Sequence, residues 1–492
     1  MRSSRSSTRA RPGIPTYQVR DVMWRRTAAG GLLAAALLAL APIASTSTAS
    51  ASTAHTARTA HTGLKHCALP GAGQPIGRAT AAQEDLRAAD VADAVNYADT
   101  HLRASVQIFR NNCRVAAGLL DPITDNAAYE VFSSTKSVIS ILTGIAFDEH
   151  KLRLSDRIGK YLPHGAGWGD KAHRAITIRD LLTETAGLRE SILTEFASTG
   201  TDPNVAQEAL AQPLVHKPGS FFEYTQRVPD LLAYVVQRAV GEDLQRFAQQ
   251  KLFTPVGIPL DSYFWLRDRS GNTYGYANLF IPPAQFAKLG LLMVNDGVWR
   301  GHRVLSKRYI RMLSTPTKTN RCYGFLFWVN AGDSCTSANI PSAQSVHHRM
   351  IPAAPRDLYA MVGALQQNNF IVPSLHLTVT WTGAFGDTTT NLPGVLSASP
   401  GASDLYENFF RLLMRGVTDQ HVPDPGPYRS PPQDYDIDPA NYISPAVLLT
   451  DLATNPTCNV LLCDGTFPTK GWNDDAAEIG RYVGGLLEPQ HP

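Results

Sequence analysis

Ser133 and Lys136 are the residues whose types and spacing indicate chemistry most clearly. They stand in Phe132-Ser133-Ser134-Thr135-Lys136, at the start of a helix predicted over residues 133–149. Residues three apart share one helix face, so the lysine ammonium should lie beside the serine hydroxyl. A buried lysine has a lowered pKa and can accept the serine proton, and the helix N-terminus offers N–H groups to an oxyanion. The pattern predicts a nucleophilic serine; the alternative is a capping serine followed by a surface lysine.

Tyr224 is the second candidate, in Tyr224-Thr225-Gln226 ahead of a helix predicted over residues 230–240. A cationic lysine nearby would favour the ionised phenol, which could then relay protons. The alternative for Tyr224 is a packed aromatic residue without a chemical role.

Hydrophobic patterning predicts the elements that must position these side chains. Two early strands flank a turn at Asn111-Asn112, residues 150–300 form a helical subdomain, and strand patterns return after residue 323. This order favours an α+β fold in which early and late strands join in one antiparallel sheet flanked by helices. The site should lie where the helical subdomain meets that sheet. The predicted strands are residues 105–109, 114–119, 323–330, 358–363, 370–372 and 375–381.

Composition divides the chain into four parts. Residues 1–51 have a basic start, a short apolar run and an Ala-Ser-Ala end, a pattern typical of a signal peptide. The Sec export route is favoured, and the alternatives are the Tat route and an uncleaved membrane anchor. Translation could also start at Met23. Residues 52–80 are predicted to be a disordered spacer. Residues 81–420 form the domain, and the Pro- and Asp-rich residues 421–492 form an irregular extension.

The six cysteines suit an exported chain with disulfides. Proximity favours two pairs and leaves a third, although the sequence alone allows other connectivities. The net charge of +3 lies largely in the first 26 residues, so no nucleic-acid-binding surface is predicted. The two favoured pairs are Cys322–Cys335 and Cys458–Cys463, and the pair left over is Cys67–Cys113.

Four segments of the chain, taken together, resemble the serine β-lactamase and penicillin-binding superfamily. The resemblance is strongest to the class C β-lactamase-like esterases and to the nylon-oligomer (6-aminohexanoate dimer) hydrolases. The resemblance covers residues 81–415 in the right order. Gln226 departs from the family's Y-x-N, in which Asn holds that position; the resemblance implies that this amide binds the substrate and Lys136, from one methylene further out. The similar segments are Ser133-x-x-Lys136, residues 176–188, Tyr224-Thr225-Gln226 and residues 252–257.

The family's third motif, K-T-G on an edge strand, has no obvious copy. The register of residues 363–367 places Met361-Val362-Gly363 there, which removes the charged and hydroxyl groups that hold a β-lactam carboxylate. Gly363 and Ala364 would still line the site, with the Ala364 N–H as second oxyanion donor. Trp381-Thr382-Gly383 is the rival for this position, although it comes one strand later.

The resemblance implies a five-stranded sheet and a secreted serine hydrolase that cleaves an ester or amide through an acyl-enzyme on Ser133, with Lys136 and Tyr224 as its proton carriers. The alternatives are D-Ala-D-Ala peptidase or β-lactamase activity, and a catalytically silent scaffold that binds a ligand. No metal or organic cofactor is expected. The expected partner is a small-molecule ester or amide, with no nucleic acid and no membrane span in the mature chain; the oligomeric state stays open.

Overall fold

Strands from both ends of the domain form its central sheet. In the computed structural model the structure describes residues 64–338, 342–343, 345–383, 404–428, 432 and 434–454, all of which belong to one unit. The strands are β1 (Arg103–Arg110), β2 (Cys113–Ala117), β3 (Tyr129–Glu130), β4 (Phe264–Trp265), β5 (Leu279–Ile281), β6 (Val298–Trp299), β7 (His302–Arg303), β8 (Trp328–Val329), β9 (Cys335–Thr336), β10 (Ser342–Ala343), β11 (Ser345–Val346), β12 (Tyr359–Gly363), β13 (Gln367–Val372), β14 (Leu377–Gly383) and β15 (Asp434–Tyr435).

The main sheet is antiparallel with the order β2-β1-β14-β13-β12-β8. The predicted union of early and late strands in one sheet is therefore confirmed. Asn111 and Asn112 adopt positive φ angles in the turn between β1 and β2, a conformation that asparagine tolerates.

The expectation of five strands in this sheet is wrong, because the short edge strand β8 adds a sixth. The strand predicted over residues 323–330 shortens to Trp328–Val329. Residues 324–327 form a tight turn instead: the Gly324 N–H donates to Phe327 O, and Leu326 has a φ of 54°.

Helices cover both faces of the sheet and form most of the middle of the chain. They are α1 (Ala88–Asp99), α2 (Asp121–Thr124), α3 (Ser134–Asp148), α4 (Ile178–Leu182), α5 (Ile192–Ala197), α6 (Val205–Ala211), α7 (Arg227–Val240), α8 (Leu244–Ala248), α9 (Pro283–Val294), α10 (Lys307–Leu313), α11 (Leu405–Arg415) and α12 (Pro445–Leu449).

Side chains of adjacent strand residues show which helices lie on which face. On β13, the Asn369 amide donates to Phe286 O in α9, whereas the Phe370 ring packs against Tyr406 and Phe410 of α11. Successive strand residues point to opposite faces. The sheet is therefore enclosed between α9 and α11.

The predicted helical middle contains α4 to α9, with α7 packed against α3, α4, α6 and α8. Its strands β4 and β5 join β3, from before the middle segment, in a small sheet of order β3-β5-β4 that the sequence patterns did not indicate. This sheet anchors the chain just before Ser133, because the Val131 N–H donates to Leu279 O at 2.9 Å. No helix among the described residues is long and apolar enough to cross a bilayer.

The second half of the predicted spacer is attached to the domain. A disulfide joins Cys67 to Cys113, Arg78 forms a β-bridge with Arg114, and the Trp299 indole donates to Pro70 O at 3.1 Å. These contacts fix residues 64–80 in place, contrary to the expected disorder. Residues 1–63, with the predicted signal peptide, lie outside the described residues.

Part of the predicted C-terminal extension also packs on the domain. Strand β15 pairs with β10, and the Tyr442 carbonyl accepts the N–H groups of Leu193 and Thr194. Val447 of α12 is fully buried. The predicted disulfide Cys322–Cys335 is present, whereas the Cys458–Cys463 pair lies outside the described residues.

Candidate active site

Ser133 occupies the N-cap position of α3, in a tight turn that follows β3. Phe132, immediately before it, has a φ of 44°, a left-handed conformation that is costly for a bulky residue and persists only where surrounding structure enforces it. The Ser133 side chain is largely enclosed, with 8% of the residue exposed. Among the described residues, no protein acceptor takes the Ser133 backbone N–H.

Lys136 lies beside Ser133, as the helical spacing predicts. Its Nζ donates to Ser133 Oγ at 3.1 Å and to Gln226 Oε1 at 2.7 Å. The residue is 1% exposed, and burial lowers the pKa of its ammonium to about 8, although Glu184 and Glu190 oppose that shift. A neutral fraction of this amine is therefore present near neutral pH.

Tyr224 is also beside Ser133, and the two side chains share a hydrogen bond. Lys136 Nζ lies 4.5 Å from the centroid of its ring, and Trp328 stacks on it at 5.7 Å. Burial, however, raises the pKa of the Tyr224 phenol well above its usual value, and the nearby carboxylates of Glu184 and Glu190 add to the rise. The expectation of a favoured phenolate is wrong, because desolvation outweighs the hydrogen bond with Ser133, which lowers the pKa. The phenol stays protonated and is suited to donate.

Gln226 links Lys136 to a buried acid that the sequence patterns did not indicate. Its Oε1 accepts from Lys136, and its Nε2 donates to Glu190 Oε1 at 3.1 Å. Burial raises the pKa of Glu190 well above its usual value, which favours the protonated carboxyl. The predicted amide contact with Lys136 is present despite the departure from asparagine.

Glu184 is a second acid beside the lysine. Its carboxylate accepts from Thr225 Oγ1 at 2.9 Å, and burial raises its pKa to about 8. Among the charges around Lys136, that of Glu184 contributes most to raising the lysine pKa. Glu184 lies within the family-like segment 176–188, but its burial beside the lysine has no signal in the sequence pattern.

Arg227 anchors the start of α7 and hence Gln226. Its guanidinium makes ion pairs with Asp202 at 2.6 Å, with Glu208 at 2.9 Å and with Asp230 at 2.9 Å, all inside the protein. Asp230 in turn accepts the Gly275 and Tyr276 N–H groups. The residues of this charge network come from separate segments of the chain, so no local sequence pattern indicates it.

The end of β12 lies directly against the nucleophile turn. A Cβ on Gly363 would sit 2.2 Å from Val131 O, so only glycine permits this approach. Ser134 Oγ donates to Gln367 O at 2.8 Å, which fixes the hairpin that contains Ala364. In the described part of the chain, the Ala364 N–H also has no protein acceptor.

The rival Trp381-Thr382-Gly383 lies on β14, two strands away from β12. Its Trp381 ring is buried against Phe409 of α11 at 4.8 Å. This stretch therefore belongs to the core, and Met361-Val362-Gly363 occupies the strand next to α3.

A cavity of about 700 Å³ adjoins the site. Its wall includes Phe222 and Glu223, which directly precede Tyr224, and a part of the C-terminal segment, which faces them. Neither Ser133 nor Lys136 lines it. The lining residues are Arg189, Val215, His216, Ser220, Phe221, Phe222, Glu223, Thr319, Thr336, Asp434, Tyr435, Asp436, Asp438 and Asn441.

Comparison with known proteins agrees with this geometry. The chain belongs to the Beta-lactamase family, whose model matches residues 93–392. The predicted class of enzyme, a serine hydrolase related to β-lactamases, agrees with that membership.

Individual relatives are distant. Protein flp of Staphylococcus aureus (strain N315) is 27% identical over 145 residues, which is 29% of this chain and 29% of that protein. The uncharacterized protein MT1414 of Mycobacterium tuberculosis (strain CDC 1551 / Oshkosh) is 26% identical over 265 residues, 43% of this chain and 66% of that protein. The match thus spans less than two thirds of either relative.

Among solved structures, a candidate 6-aminohexanoate-dimer hydrolase from Bacillus anthracis has the same fold, with a TM-score of 0.50 and 13% identity. The similarity covers 64% of this chain and 79% of that one.

Proposed function

We propose that this protein is a secreted serine hydrolase that cleaves an ester or an uncharged amide through an acyl-enzyme on Ser133. The observation that carries the proposal is the 3.1 Å hydrogen bond from Lys136 Nζ to Ser133 Oγ, in which the lysine is buried and its pKa lowered to about 8. A neutral amine in that place can take the serine proton.

In the proposed acylation step, Lys136 Nζ accepts the Ser133 Oγ proton while Oγ attacks the substrate carbonyl carbon. The free N–H groups of Ser133 and Ala364 stabilise the oxyanion. The tetrahedral intermediate then collapses with loss of the alcohol or amine, to which the Tyr224 phenol gives its proton. The Tyr224 phenolate then takes a proton from the Lys136 ammonium, whose Nζ lies 4.5 Å from the centroid of the phenol ring, and both residues return to their starting states.

In deacylation, Tyr224 and Lys136 carry protons in the opposite direction. Water attacks the acyl carbon, its proton passes to the Tyr224–Lys136 pair, and the ester bond to Ser133 Oγ breaks as the serine regains its proton. The acid is released, and the atoms of one water molecule appear in the products.

The strand beside the nucleophile supports the choice of substrate. Met361 and Val362 on β12 bring no cation and no hydroxyl to the place where K-T-G members of the superfamily carry lysine and threonine. A substrate carboxylate such as that of a β-lactam would have no partner there. This favours an uncharged ester or amide over β-lactams and D-Ala-D-Ala peptides.

Export is the second part of the proposal. The basic and apolar start of the sequence supports it, as do the two disulfides among the described residues, which accumulate in oxidising compartments. Mass analysis of the protein secreted by its native host would test the predicted cleavage near Ala51.

The activity is tested by turnover of a chromogenic nitrophenyl ester, a nitroanilide and a chromogenic β-lactam by the purified protein. Hydrolysis of the ester or anilide, with a loss of at least about 1000-fold in Ser133→Ala and in Lys136→Met, would support the proposal. Turnover confined to the β-lactam would indicate the β-lactamase alternative. If the folded protein turns over none of these substrates, the alternative of a catalytically silent scaffold that binds a ligand would be favoured.

A further inference from the structure

A second cavity, of about 540 Å³, lies between α4, α10 and the loop at residues 315–319. Its lining differs from that of the first cavity in charge, because basic residues prevail. The lining residues are Arg179, Asp180, Thr183, Thr185, Gly219, Arg308, Arg311, Met312, Thr315, Pro316, Thr317, Lys318, Thr319 and Phe325.

Four cations of this cavity have no carboxylate to neutralise them. Arg179, Arg308, Arg311 and Lys318 are exposed, and none has an ion-pair partner in the described part of the chain. Elsewhere in that part arginines regularly pair with acids, as Arg267 does with Asp243 at 2.7 Å. Unpaired cations at this density repel one another unless an anion binds among them.

The only carboxylate in the lining is already committed. Asp180 accepts the Thr177 N–H at 2.9 Å and the Thr177 hydroxyl at 2.6 Å, as the capping box that begins α4. It cannot turn towards the four cations without breaking that cap. The cavity therefore presents a net positive charge.

Aromatic rings hold two of the guanidinium groups in place without reducing their charge. Arg179 lies over Phe325 at 5.3 Å, and Arg308 lies over Phe147 at 5.5 Å. Arg308 and Arg311 are three residues apart on α10 and so share a face. Preorganised guanidinium groups lose little conformational entropy when an oxyanion binds.

We propose that this cavity binds the phosphate group of a phosphomonoester or phosphodiester. Guanidinium groups donate paired N–H bonds to phosphate oxygens, and a doubly charged tetrahedral anion can contact several of these cations at once. The cavity shares Thr319 with the cavity beside Tyr224, so a bound phosphorylated molecule would lie on the same side of the domain. The proposal does not depend on the hydrolase activity.

The test is isothermal titration of the full-length protein with inorganic phosphate, glycerol 3-phosphate and a soluble oligo(glycerol phosphate), at low and at physiological salt. Sedimentation with phosphatidylglycerol vesicles, against phosphatidylcholine vesicles, distinguishes a lipid headgroup from a soluble phosphate ester. The cavity variant is Arg179→Gln/Arg308→Gln/Arg311→Gln. The matched control removes the same charge from exposed arginines outside the cavity, as Arg153→Gln/Arg238→Gln/Arg246→Gln.

Phosphate-ligand binding that weakens at least tenfold in the cavity variant, and less than twofold in the control, is the expected result. An equal weakening in both variants would show non-specific attraction and overturn the proposal. So would the absence of binding to any of the phosphate probes. Thermal unfolding of both variants checks that each retains its fold, since the substituted side chains are exposed.

Discussion

Replacing Gln226 by glutamate would test whether Lys136 is the base. The Gln226 Oε1 is 2.7 Å from Lys136 Nζ, so Gln226→Glu places a carboxylate oxygen where a neutral amide oxygen now accepts. On the other side of the amide, burial raises the pKa of Glu190 and favours its protonated form, which can donate to the new carboxylate. The substitution therefore keeps the hydrogen-bond pattern and changes the charge.

The size of the effect follows from the pKa of Lys136. A carboxylate at this distance would stabilise the ammonium by about 6 kcal/mol at an effective dielectric constant of about 20, and solvation of the charges reduces the shift to about 1–3 pKa units. The Lys136 pKa would rise from about 8 to about 9–11. The neutral fraction at pH 7 would then fall by about 10- to 1000-fold, and kcat/KM with it.

The assay is the pH dependence of kcat/KM for a nitrophenyl ester. In the wild type the rate should rise with pH through about 8, as Lys136 loses its proton. In Gln226→Glu the same rise should move to higher pH. Gln420→Glu, an exposed residue, adds the same charge and should leave the profile unchanged. An unshifted profile in Gln226→Glu would refute the assignment of Lys136 as the base.

Three further outcomes are expected. Tyr224→Phe should lower the hydrolysis of an alkyl ester by about 100-fold or more but affect a nitrophenyl ester much less, because nitrophenolate leaves without a proton; equal losses would show that Tyr224 is no proton donor. Gly363→Ala should lower the free energy of unfolding in urea by about 1–3 kcal/mol and reduce acylation, since its Cβ would meet Val131 O at 2.2 Å; unchanged stability and rate would contradict that close approach. Cys67→Ala/Cys113→Ala opens a link across 46 residues and should cost about 4 kcal/mol in the same unfolding experiment; a cost near zero would show that residues 64–80 do not hold the domain.

The candidate site was predictable where it depends on local spacing. Ser133 and Lys136 are one helical turn apart, and the regular geometry of α3 is enough to bring their side chains together. Tyr224 and Gln226 could be placed beside them only through the family resemblance, since they come from a distant segment. The strand pattern likewise predicted the antiparallel sheet and a strand over residues 323–330, but not the turn at residues 324–327 that shortens this strand to the two residues of β8.

Properties that depend on burial were not predictable from the sequence. The pKa of Tyr224 rises because the folded chain encloses its phenol, and desolvation then outweighs the hydrogen bond with Ser133. Glu190 and Arg227 are charged residues of ordinary appearance in the sequence, yet both are fully enclosed. Residues 64–80 have a polar composition that resembles a spacer, but the Cys67–Cys113 disulfide ties them to β2.

Covalent labelling of Ser133 tests the central claim most directly. The mature protein is treated with a fluorophosphonate and its intact mass is recorded, with Ser133→Ala as the test variant and Ser155→Ala, which removes an exposed serine, as the control. A single adduct on the wild type and on Ser155→Ala, absent from Ser133→Ala, is the predicted result. The absence of an adduct on folded wild-type protein, or an adduct that persists in Ser133→Ala, would contradict the claim that Ser133 is the nucleophile.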